Sequence, residues 1–285
     1  DAGQRERALT TQHEPVVAYQ GEAGAFSEEG CLALFPNTER VPLASIRQVF
    51  EAVEVGRADY GVVPMDNSQA GSINETYDLF LKHCLHLVGE TVVPVDHCLM
   101  ALPGTDLEDV QEIISHPQAI AQCEEFLTAL DVKVRAEYDT AGAARKIGED
   151  KLEKTAAIAS RRAADLYGLT ILAERIQTYP ENYTRFGAVS RNPTSLREPD
   201  KSSIIFGVGH FAGSLYRCIG AFATRHLNLT KLESRPRPGR PWEFVFYADV
   251  EGPASEPVMV EALAELSEHA TFTRLLGSYA AGLKR

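Results

Sequence analysis

The sequence is poor in positive charge. It has 28 Lys and Arg residues against 40 Asp and Glu residues, and its formal net charge over 285 residues is −12. Apart from the short segment ESRPRPGR it has no basic cluster, which argues against a nucleic acid or an anionic membrane as partner. We expect neither, and an anionic ligand would need a local cationic or backbone-dipole site.

Paired cysteines are missing as well. The five cysteines are widely spaced and include no C-x-x-C pair, so they predict neither a disulfide framework nor a zinc site and are typical of a reducing compartment. The segments KHCLH and DHC contain His83, His86, Asp96 and His97, but they lack further ligands at a usable spacing. We expect no metal and no cofactor.

Long hydrophobic runs are absent. No stretch reaches the roughly 18 apolar residues of a membrane span, and residues 1–14 are polar, without the apolar core of a signal peptide. We therefore expect a cytoplasmic protein whose residues 1–14 form a disordered N-terminal segment.

From residue 15 onward the sequence alternates short apolar runs with amphipathic segments. VVAYQG, ERVPLA and DYGVVPM are typical of strands, and SIRQVFEAVEVGRA is typical of a helix with a capping box, Ser45 with Gln48. This alternation predicts an α/β layer structure with parallel strands. The β segment at 87–102 and the later TRFGAVSR could carry the chain to a second α/β lobe and back, with a cleft between the lobes.

A change in composition marks a second domain. RNPTSLREPDKSS is rich in Pro, Ser and charge, and we place a linker at 193–201 within it. The pattern that follows is βαββαβ, the order of a ferredoxin-like domain. We predict one domain at 15–192 and another at 202–285.

Three loops at predicted strand ends are candidates for ligand binding. QGEAGAFSE places two glycines before a helix whose free N–H groups could bind an anion. PMDNSQAGSI crowds Asp66, Asn67, Ser68 and Ser72 into one loop, and SHPQAIAQC adds a histidine and a glutamine. Each loop has a plainer interpretation, because Asn, Ser and Gly perform turn and capping chemistry in many proteins.

The segment ENYTRFGAVSR sets a hydroxyl, Thr184, beside a permanent cation, Arg185, in an apolar run. Neighbouring side chains of a strand point to opposite faces, so one of the two should point inward. A buried Arg usually holds an anion, either a ligand or a carboxylate of its own chain. With the three loops this segment would suit a small dianion that rearranges without a nucleophile–base pair or a carboxylate pair.

These segments together carry a family resemblance. GEAGAFSE, PMDNSQAGSI, SHPQAIAQC and NYTRF, then GSLY and NLTKLESRPRPGRPWEFVFYADVEG, resemble prephenate dehydratases with a C-terminal ACT domain, over residues 15–280. The resemblance implies a two-lobed catalytic domain like that of periplasmic binding proteins. It also implies decarboxylative dehydration of prephenate to phenylpyruvate in phenylalanine biosynthesis, L-phenylalanine as effector of the ACT domain, and a homodimer or homotetramer.

The resemblance also implies residue roles. Thr184 would be the catalytic hydroxyl that hydrogen-bonds the departing ring hydroxyl, and Arg185 would attract a substrate carboxylate in the cleft. The residues that would bind substrate are Ala25, Ser27, Asn67, Ser68, Gly71, Gln118 and Phe186. The residues that would bind the effector are Gly213, Ser214, Leu215, Asn228, Leu229, Glu233, Ser234, Arg235 and Pro236.

The chain departs from the family pattern at three positions. Asp66 stands where Glu is usual, Gly187 follows T-R-F where a larger apolar residue is common, and Ser214 replaces Ala. These departures and the run GSINETYDLFLKHCLHLVGE leave arogenate, the aminated relative of prephenate, open as an alternative substrate. A non-catalytic sensor and a prephenate decarboxylase are further alternatives, and the presence of Thr184 argues against both.

Overall fold

Three β-sheets organise the chain in the computed structural model, which describes residues 14–237, 239–240 and 243–282. The expectation for the N-terminal segment therefore lies outside the described residues up to residue 13. No helix in the described ranges combines the length and the apolar character needed to cross a membrane.

The first sheet has the strand order β2-β1-β3-β11-β5, with β4 paired to the end of β3. Its strands are β1 (Val16–Gln20), β2 (Glu39–Leu43), β3 (Tyr60–Asn67), β4 (Gly71–Ser72), β5 (His86–Pro94) and β11 (Tyr183–Ser190). With helices α1 (Phe26–Leu34), α2 (Ile46–Glu54) and α3 (Asn74–Lys82) it forms the first lobe. The predicted cap of α2 is present, since Ser45 Oγ accepts a hydrogen bond from the Gln48 N–H at 3.3 Å.

The second sheet has the order β10-β6-β9-β7-β8. Its strands are β6 (Cys98–Ala101), β7 (Glu112–Ser115), β8 (Lys133–Ala136), β9 (Thr155–Ala159) and β10 (Thr170–Ala173). With a 3₁₀ turn at Leu107–Asp109 and helices α4 (Pro117–Gln122), α5 (Glu124–Leu130), α6 (Thr140–Asp150) and α7 (Arg161–Tyr167) it forms the second lobe.

The predicted passage between lobes is confirmed, because β5 belongs to the first sheet, β6 to the second, and β11 returns to the first. The expectation of parallel strands holds only for part of each sheet. β11 is antiparallel to both β3 and β5, and β6 is antiparallel to β9. These strands link the lobes directly and lack the crossover connection that a parallel pair requires.

Two local elements differ from what the sequence pattern indicates. The apolar pattern of PQAIAQCEEFLTAL predicts one helix, but the segment forms two, because Cys123 leaves the helical region (φ −109°, ψ 19°) and separates α4 from α5. The four-residue strand β10 carried no signal that we recognised in the sequence.

The third sheet follows the predicted βαββαβ order. Its elements are β12 (Lys201–Gly207), α8 (Ser214–Ala223), β13 (Leu229–Pro236), β14 (Phe244–Glu251), α9 (Pro257–His269) and β15 (Phe272–Tyr279). The strand order β13-β14-β12-β15 is that of a ferredoxin-like fold, and we call residues 201–279 the ferredoxin-like unit.

The ferredoxin-like unit packs directly against the first lobe. Ile205, Tyr247 and Leu276 are buried in the same apolar core as Phe50 and Phe80 of the first lobe. Polar contacts reinforce this packing. The Tyr247 hydroxyl donates to the Tyr77 carbonyl at 2.7 Å, and the Arg274 guanidinium donates to the carbonyls of His83 and Leu85 at 3.0 and 2.7 Å. The two units therefore share one folding core.

Candidate active site

A cavity of about 190 Å³ lies between the two lobes. The ends of β1 and β3, the start of α1 and strand β11 supply its first-lobe wall, and the starts of α4 and α6 supply the opposite wall. The lining residues are Gln20, Ala25, Phe26, Ser27, Pro64, Asn67, Ile73, Val95, His97, His116, Gln118, Ala119, Gln122, Tyr138, Asp139, Thr140, Thr184 and Phe186.

The structure brings six of the nine residues predicted to act on or bind substrate to this cavity. They are Ala25, Ser27, Asn67, Gln118, Thr184 and Phe186. Thr184 and Phe186 both face it because they are two residues apart on β11 and share a face of the strand.

Thr184 is held by an amide. The side chain is 8% exposed, and its Oγ1 accepts a hydrogen bond from Asn67 Nδ2 at 3.1 Å. Asn67 is the partner of Thr184 in the pairing of β3 with β11. Because Asn67 fills one acceptor position of the hydroxyl, the Thr184 proton is free to be donated towards the cavity.

The orientation of the Asn67 amide is fixed by the turn that follows β3. Its Oδ1 accepts hydrogen bonds from the N–H groups of Gln69 and Ala70 at 3.1 and 2.9 Å. Its Nδ2 also donates to Asn182 Oδ1 at 2.7 Å. With the oxygen committed to backbone donors, only the NH₂ group can face Thr184.

A second ring of polar groups supports Asn67, and sequence reasoning missed all of them. Gln122 Oε1 accepts from Asn182 Nδ2 at 3.1 Å and lies 2.8 Å from His97 Nε2. His97 therefore carries its proton on Nε2. Burial lowers the pKa of His97, and the hydrogen bond with Gln122 opposes this less strongly, so the ring is neutral near pH 7. His97, Gln122 and Asn182 come from separate segments, and no local motif joins them.

Arg185 lies on the opposite face of β11 and does not line the cavity. Its Nε donates to Asp66 Oδ2 at 2.7 Å, and its Nη1 donates to Glu90 Oε2 at 2.7 Å and lies 3.0 Å from Asp249 Oδ2. This placement contradicts the expectation that Arg185 attracts a substrate carboxylate in the cleft. The alternative interpretation, pairing with carboxylates of its own chain, describes the structure.

Arg185 is part of a cluster between the first lobe and the ferredoxin-like unit. Lys201 pairs with Glu90 and Asp249 at 3.0 and 3.2 Å, and Lys231 pairs with Asp66 at 2.5 Å. We call these three cations and three carboxylates the junction cluster; its members are Asp66, Glu90, Arg185, Lys201, Lys231 and Asp249. It joins β3, β5 and β11 to β12, β13 and β14.

Ser68 and Gly71 also lie outside the cavity lining. Ser68 is exposed, and its Oγ accepts a hydrogen bond from the Tyr183 N–H at 2.9 Å. Gly71 is exposed at the start of β4 with φ +80°. Asp66 and Gly187, two of the departures from the family pattern that left arogenate open as a substrate, do not line the cavity either. A Cβ at Gly187 would approach Leu87 Cδ1 to 2.6 Å, so a larger residue there would require the Leu87 side chain on β5 to move.

The predicted effector residues lie at the start of α8 and along the edge strand β13. Gly213 is the N-cap of α8, and Ser214 and Leu215 form its first turn. Asn228, Ser234 and Pro236 are exposed, and Leu229 packs against the core of the ferredoxin-like unit. Glu233 and Arg235 contact the first lobe instead: Glu233 Oε2 accepts from Ser72 Oγ at 3.0 Å, and Arg235 pairs with Asp78 at 2.9 Å.

The cavity itself holds little charge. Among the described residues that line it, none is Lys or Arg, and Asp139 is the only carboxylate. Helix α1 begins without a side-chain cap, so the N–H groups of Phe26 and Ser27 can serve an anion in the cavity, whereas the Glu28 N–H donates to the Ala25 carbonyl at 3.0 Å. The first turn also carries the carboxylates of Glu28, which pairs with Arg162, and Glu29. Across residues 14–237, 239–240 and 243–282, no group of three or more His, Cys, Asp and Glu side chains is arranged to hold a metal ion.

Comparison with known proteins decides the family. A model of the prephenate dehydratase family matches residues 17–194. The chain belongs to the prephenate dehydratase family. It is 46% identical over 281 residues to arogenate dehydratase 1 of Petunia hybrida, covering 92% of this chain and 66% of that protein. It is 45% identical to arogenate dehydratase/prephenate dehydratase 6, chloroplastic, of Arabidopsis thaliana, covering 92% and 68%. The chain thus spans about two thirds of the length of these relatives.

Solved structures agree with the family. The prephenate dehydratase of Arthrobacter aurescens, in complex with L-Phe, superposes with a TM-score of 0.86 at 32% identity and covers 93% of this chain and 90% of its own. A protein described as a novel type of quorum-quenching acylase also has a TM-score of 0.86, at 36% identity, and covers 94% and 98%.

The expected cytoplasmic location is contradicted by the relatives. Several prephenate dehydratase family members from Arabidopsis thaliana, 44–45% identical to this chain, are chloroplastic. They point to the plastid. The relatives are longer than this chain, so the composition of residues 1–14 was not a valid guide to its location.

Proposed function

We propose that the chain catalyses the decarboxylative dehydration of prephenate to phenylpyruvate in phenylalanine biosynthesis, with arogenate as the alternative substrate. The observation that carries this proposal is the hydrogen bond from Asn67 Nδ2 to Thr184 Oγ1, 3.1 Å long, at the wall of the cavity between the lobes. It turns the Thr184 proton towards the position of the substrate.

Thr184 acts as the hydrogen-bond donor to the leaving group. The bond between the ring and its carboxylate breaks, the electron pair moves into the ring, and the hydroxyl at the opposite ring carbon leaves as water with a proton that passes through the Thr184 hydroxyl and is replaced from solvent. Loss of carbon dioxide and formation of an aromatic ring drive the reaction, so a weak acid that is held in position suffices. The Asn67, Gln122 and His97 network keeps the hydroxyl in place.

Substrate carboxylates bind to the uncapped start of α1, where Ser27 adds a hydroxyl, and to the amide of Gln118 on the facing lobe. Ala25 and Phe186 shape the wall. Arg185, Ser68 and Gly71 support the site through the strands and the loop that hold it, without contacting substrate.

The ferredoxin-like unit is an ACT domain that binds L-phenylalanine through residues 213–215, 228–229 and 233–236. Its strand order supports this assignment, as does the L-Phe complex of the Arthrobacter relative. We divide the chain into a catalytic domain at 15–192, a linker at 193–201 and the ACT domain at 202–285, and we propose a homodimer or homotetramer.

Arogenate is a serious second candidate because the relative at 46% identity is an arogenate dehydratase. An acylase activity, by contrast, has no support in the cavity. A threonine nucleophile would have to donate its proton to a base, and among the described residues no His, Lys, Asp or Glu side chain is hydrogen-bonded to Thr184 Oγ1, whose one side-chain partner is the Asn67 amide.

The test is to incubate the purified protein with prephenate and with arogenate, with and without L-phenylalanine, and to follow phenylpyruvate and phenylalanine by liquid chromatography. We expect turnover that L-phenylalanine alters. A protein that binds these acids without consuming either would be a sensor, and the proposal would fail.

A further inference from the structure

Among the described residues, Asp139 is the only carboxylate at the wall of the cavity. It precedes α6, and its Oδ1 accepts a hydrogen bond from the Gly142 N–H at 2.8 Å as the N-cap of that helix. Its Oδ2 is turned towards the glycine turn after β1, where a Cβ at Gly21 would lie 3.2 Å from it. Capping accounts for one oxygen of this side chain and leaves the other without an assigned role.

Asp139 differs from the three carboxylates that are buried among the residues the structure describes. Glu28 pairs with Arg162 at 2.8 Å, and Glu90 and Asp249 both pair with Arg185 and Lys201. In the part of the chain that the structure describes, Asp139 pairs with no cation. Arg145, on the helix α6 that Asp139 caps, pairs with Glu22 at 3.0 Å.

The surroundings of Asp139 make this missing partner costly. Burial raises the pKa of Asp139, and the nearby Glu22 carboxylate raises it further, while the N–H groups of Gly142 and Ala141 and the His116 imidazole lower it less. A poorly solvated carboxylate that lacks a counter-ion is stabilised strongly by any cation that reaches it. Because Asp139 lines the cavity together with His116, a cation on the substrate can reach this carboxylate.

The two candidate substrates differ in this feature. Both carry a ring carboxylate and a side-chain carboxylate, but prephenate has a ketone where arogenate has an α-ammonium group. With no Lys or Arg among the described lining residues, a fixed carboxylate repels the dianion prephenate and attracts the ammonium group of arogenate.

We infer that Asp139 is a specificity-determining residue that pairs with the α-ammonium group of arogenate and makes arogenate the preferred substrate. This rests on the proposed function and decides between its two candidate substrates in favour of arogenate, since the ammonium group has to enter the cavity that holds Thr184. Arogenate should therefore have the higher kcat/KM in the wild-type protein.

The decisive variant is Asp139→Asn, because Asn is isosteric and caps a helix as well as Asp does. We expect the ratio of kcat/KM for arogenate to kcat/KM for prephenate to fall at least tenfold, mainly through KM for arogenate. Glu149→Gln is the matched control. It removes the same charge from an exposed position of α6, and the ratio should stay within threefold of wild type.

Several outcomes would overturn the inference. A wild-type preference for prephenate, or an unchanged ratio in Asp139→Asn, would reduce Asp139 to a helix cap while leaving the dehydratase proposal intact. An equal decrease of kcat/KM for both substrates would also mean that Asp139 acts only as a helix cap. If neither substrate is consumed by the wild-type protein, the proposed function fails and the inference fails with it. Should Asp139→Asn not fold, Asp139→Ser, which retains a capping oxygen, gives the same ratio test.

Discussion

The two faces of strand β11 differ in charge. On one face, Thr184 lies in a cavity lined by amides, a neutral histidine and the start of a helix, where Asp139 is the only charged side chain that we assign. On the other face Arg185 meets three carboxylates, and the junction cluster adds two lysines. The cation beside the proposed catalytic hydroxyl thus joins the first lobe to the ferredoxin-like unit, and in our proposal the site relies on fixed dipoles.

The register of β3 against β11 explains how the cavity and the junction cluster lie on opposite faces of the same two strands. Thr184 is opposite Asn67, and Arg185 is opposite Asp66. One pair points into the cavity and the next points into the junction, because side chains alternate along both strands. Catalysis and domain packing are therefore assigned to neighbouring residues, and single substitutions should separate them.

The largest effect is expected at Thr184. Thr184→Ala removes the only hydroxyl that we assign to the leaving group, so kcat should fall about 10²–10⁴-fold, the usual contribution of a positioned acid. KM should stay within about tenfold and the free energy of unfolding within about 1 kcal/mol, since one hydrogen bond is lost. Steady-state kinetics and urea denaturation measure both. Thr184→Ser should retain most activity, and a wild-type kcat in Thr184→Ala would remove Thr184 from the mechanism.

Arg185 should show the reverse pattern. Arg185→Met leaves Asp66, Glu90 and Asp249 short of a buried cation, which typically costs about 3–5 kcal/mol of folding free energy. KM of the folded protein should change little. Arg185→Lys keeps the charge but loses the forked guanidinium that reaches several carboxylates at once. Its free energy of unfolding should therefore lie between those of wild type and Arg185→Met. A stable Arg185→Met variant with a greatly raised KM would return Arg185 to the substrate site.

The pH dependence of stability is a third way to distinguish the junction cluster from the cavity face of β11. Burial raises the pKa of Asp66, but Arg185 and Lys231 lower it more, so it lies below the usual 3.8. In that range the unfolded state binds more protons than the folded state, and stability is lost as pH falls from about 5 downward. Urea denaturation at pH 3–6 should show a shallower loss for Asp66→Asn than for wild type or for the exposed Asp165→Asn. Equal slopes would mean that Asp66 does not contribute.

Much of the fold could be predicted because the apolar periods of β1, α2 and β3 are strong and local. The antiparallel position of β11 between β3 and β5 could not be predicted, because the direction of this strand depends on the path by which the chain returns from the second lobe. The break at Cys123 was hidden by a continuous helical pattern from Pro117 to Leu130.

The site residues, too, were predictable only where the signal is local in the sequence. Asn67, Ser27 and Gln118 were found because they sit in strand-end loops with recognisable composition, and all three line the cavity. Alternation along β11 told us that Thr184 and Arg185 point apart, but not which of them faces the cleft. His97, Gln122 and Asp139 were missed as site residues because only tertiary structure brings their segments together.

The smallest effect is expected at Ser68, which tests where the site ends. Ser68 follows Asn67 but is exposed, and its Oγ accepts from the Tyr183 N–H just before Thr184. Ser68→Ala should cost at most about 1 kcal/mol of folding free energy for the lost hydrogen bond and should leave kcat/KM within about threefold. Asn67→Ala is the matched comparison and should lower kcat, because Thr184 then loses its donor. If Ser68→Ala raises KM as much as Asn67→Ala lowers kcat, the substrate reaches beyond the cavity, and the cavity and the loop at its edge form one binding surface.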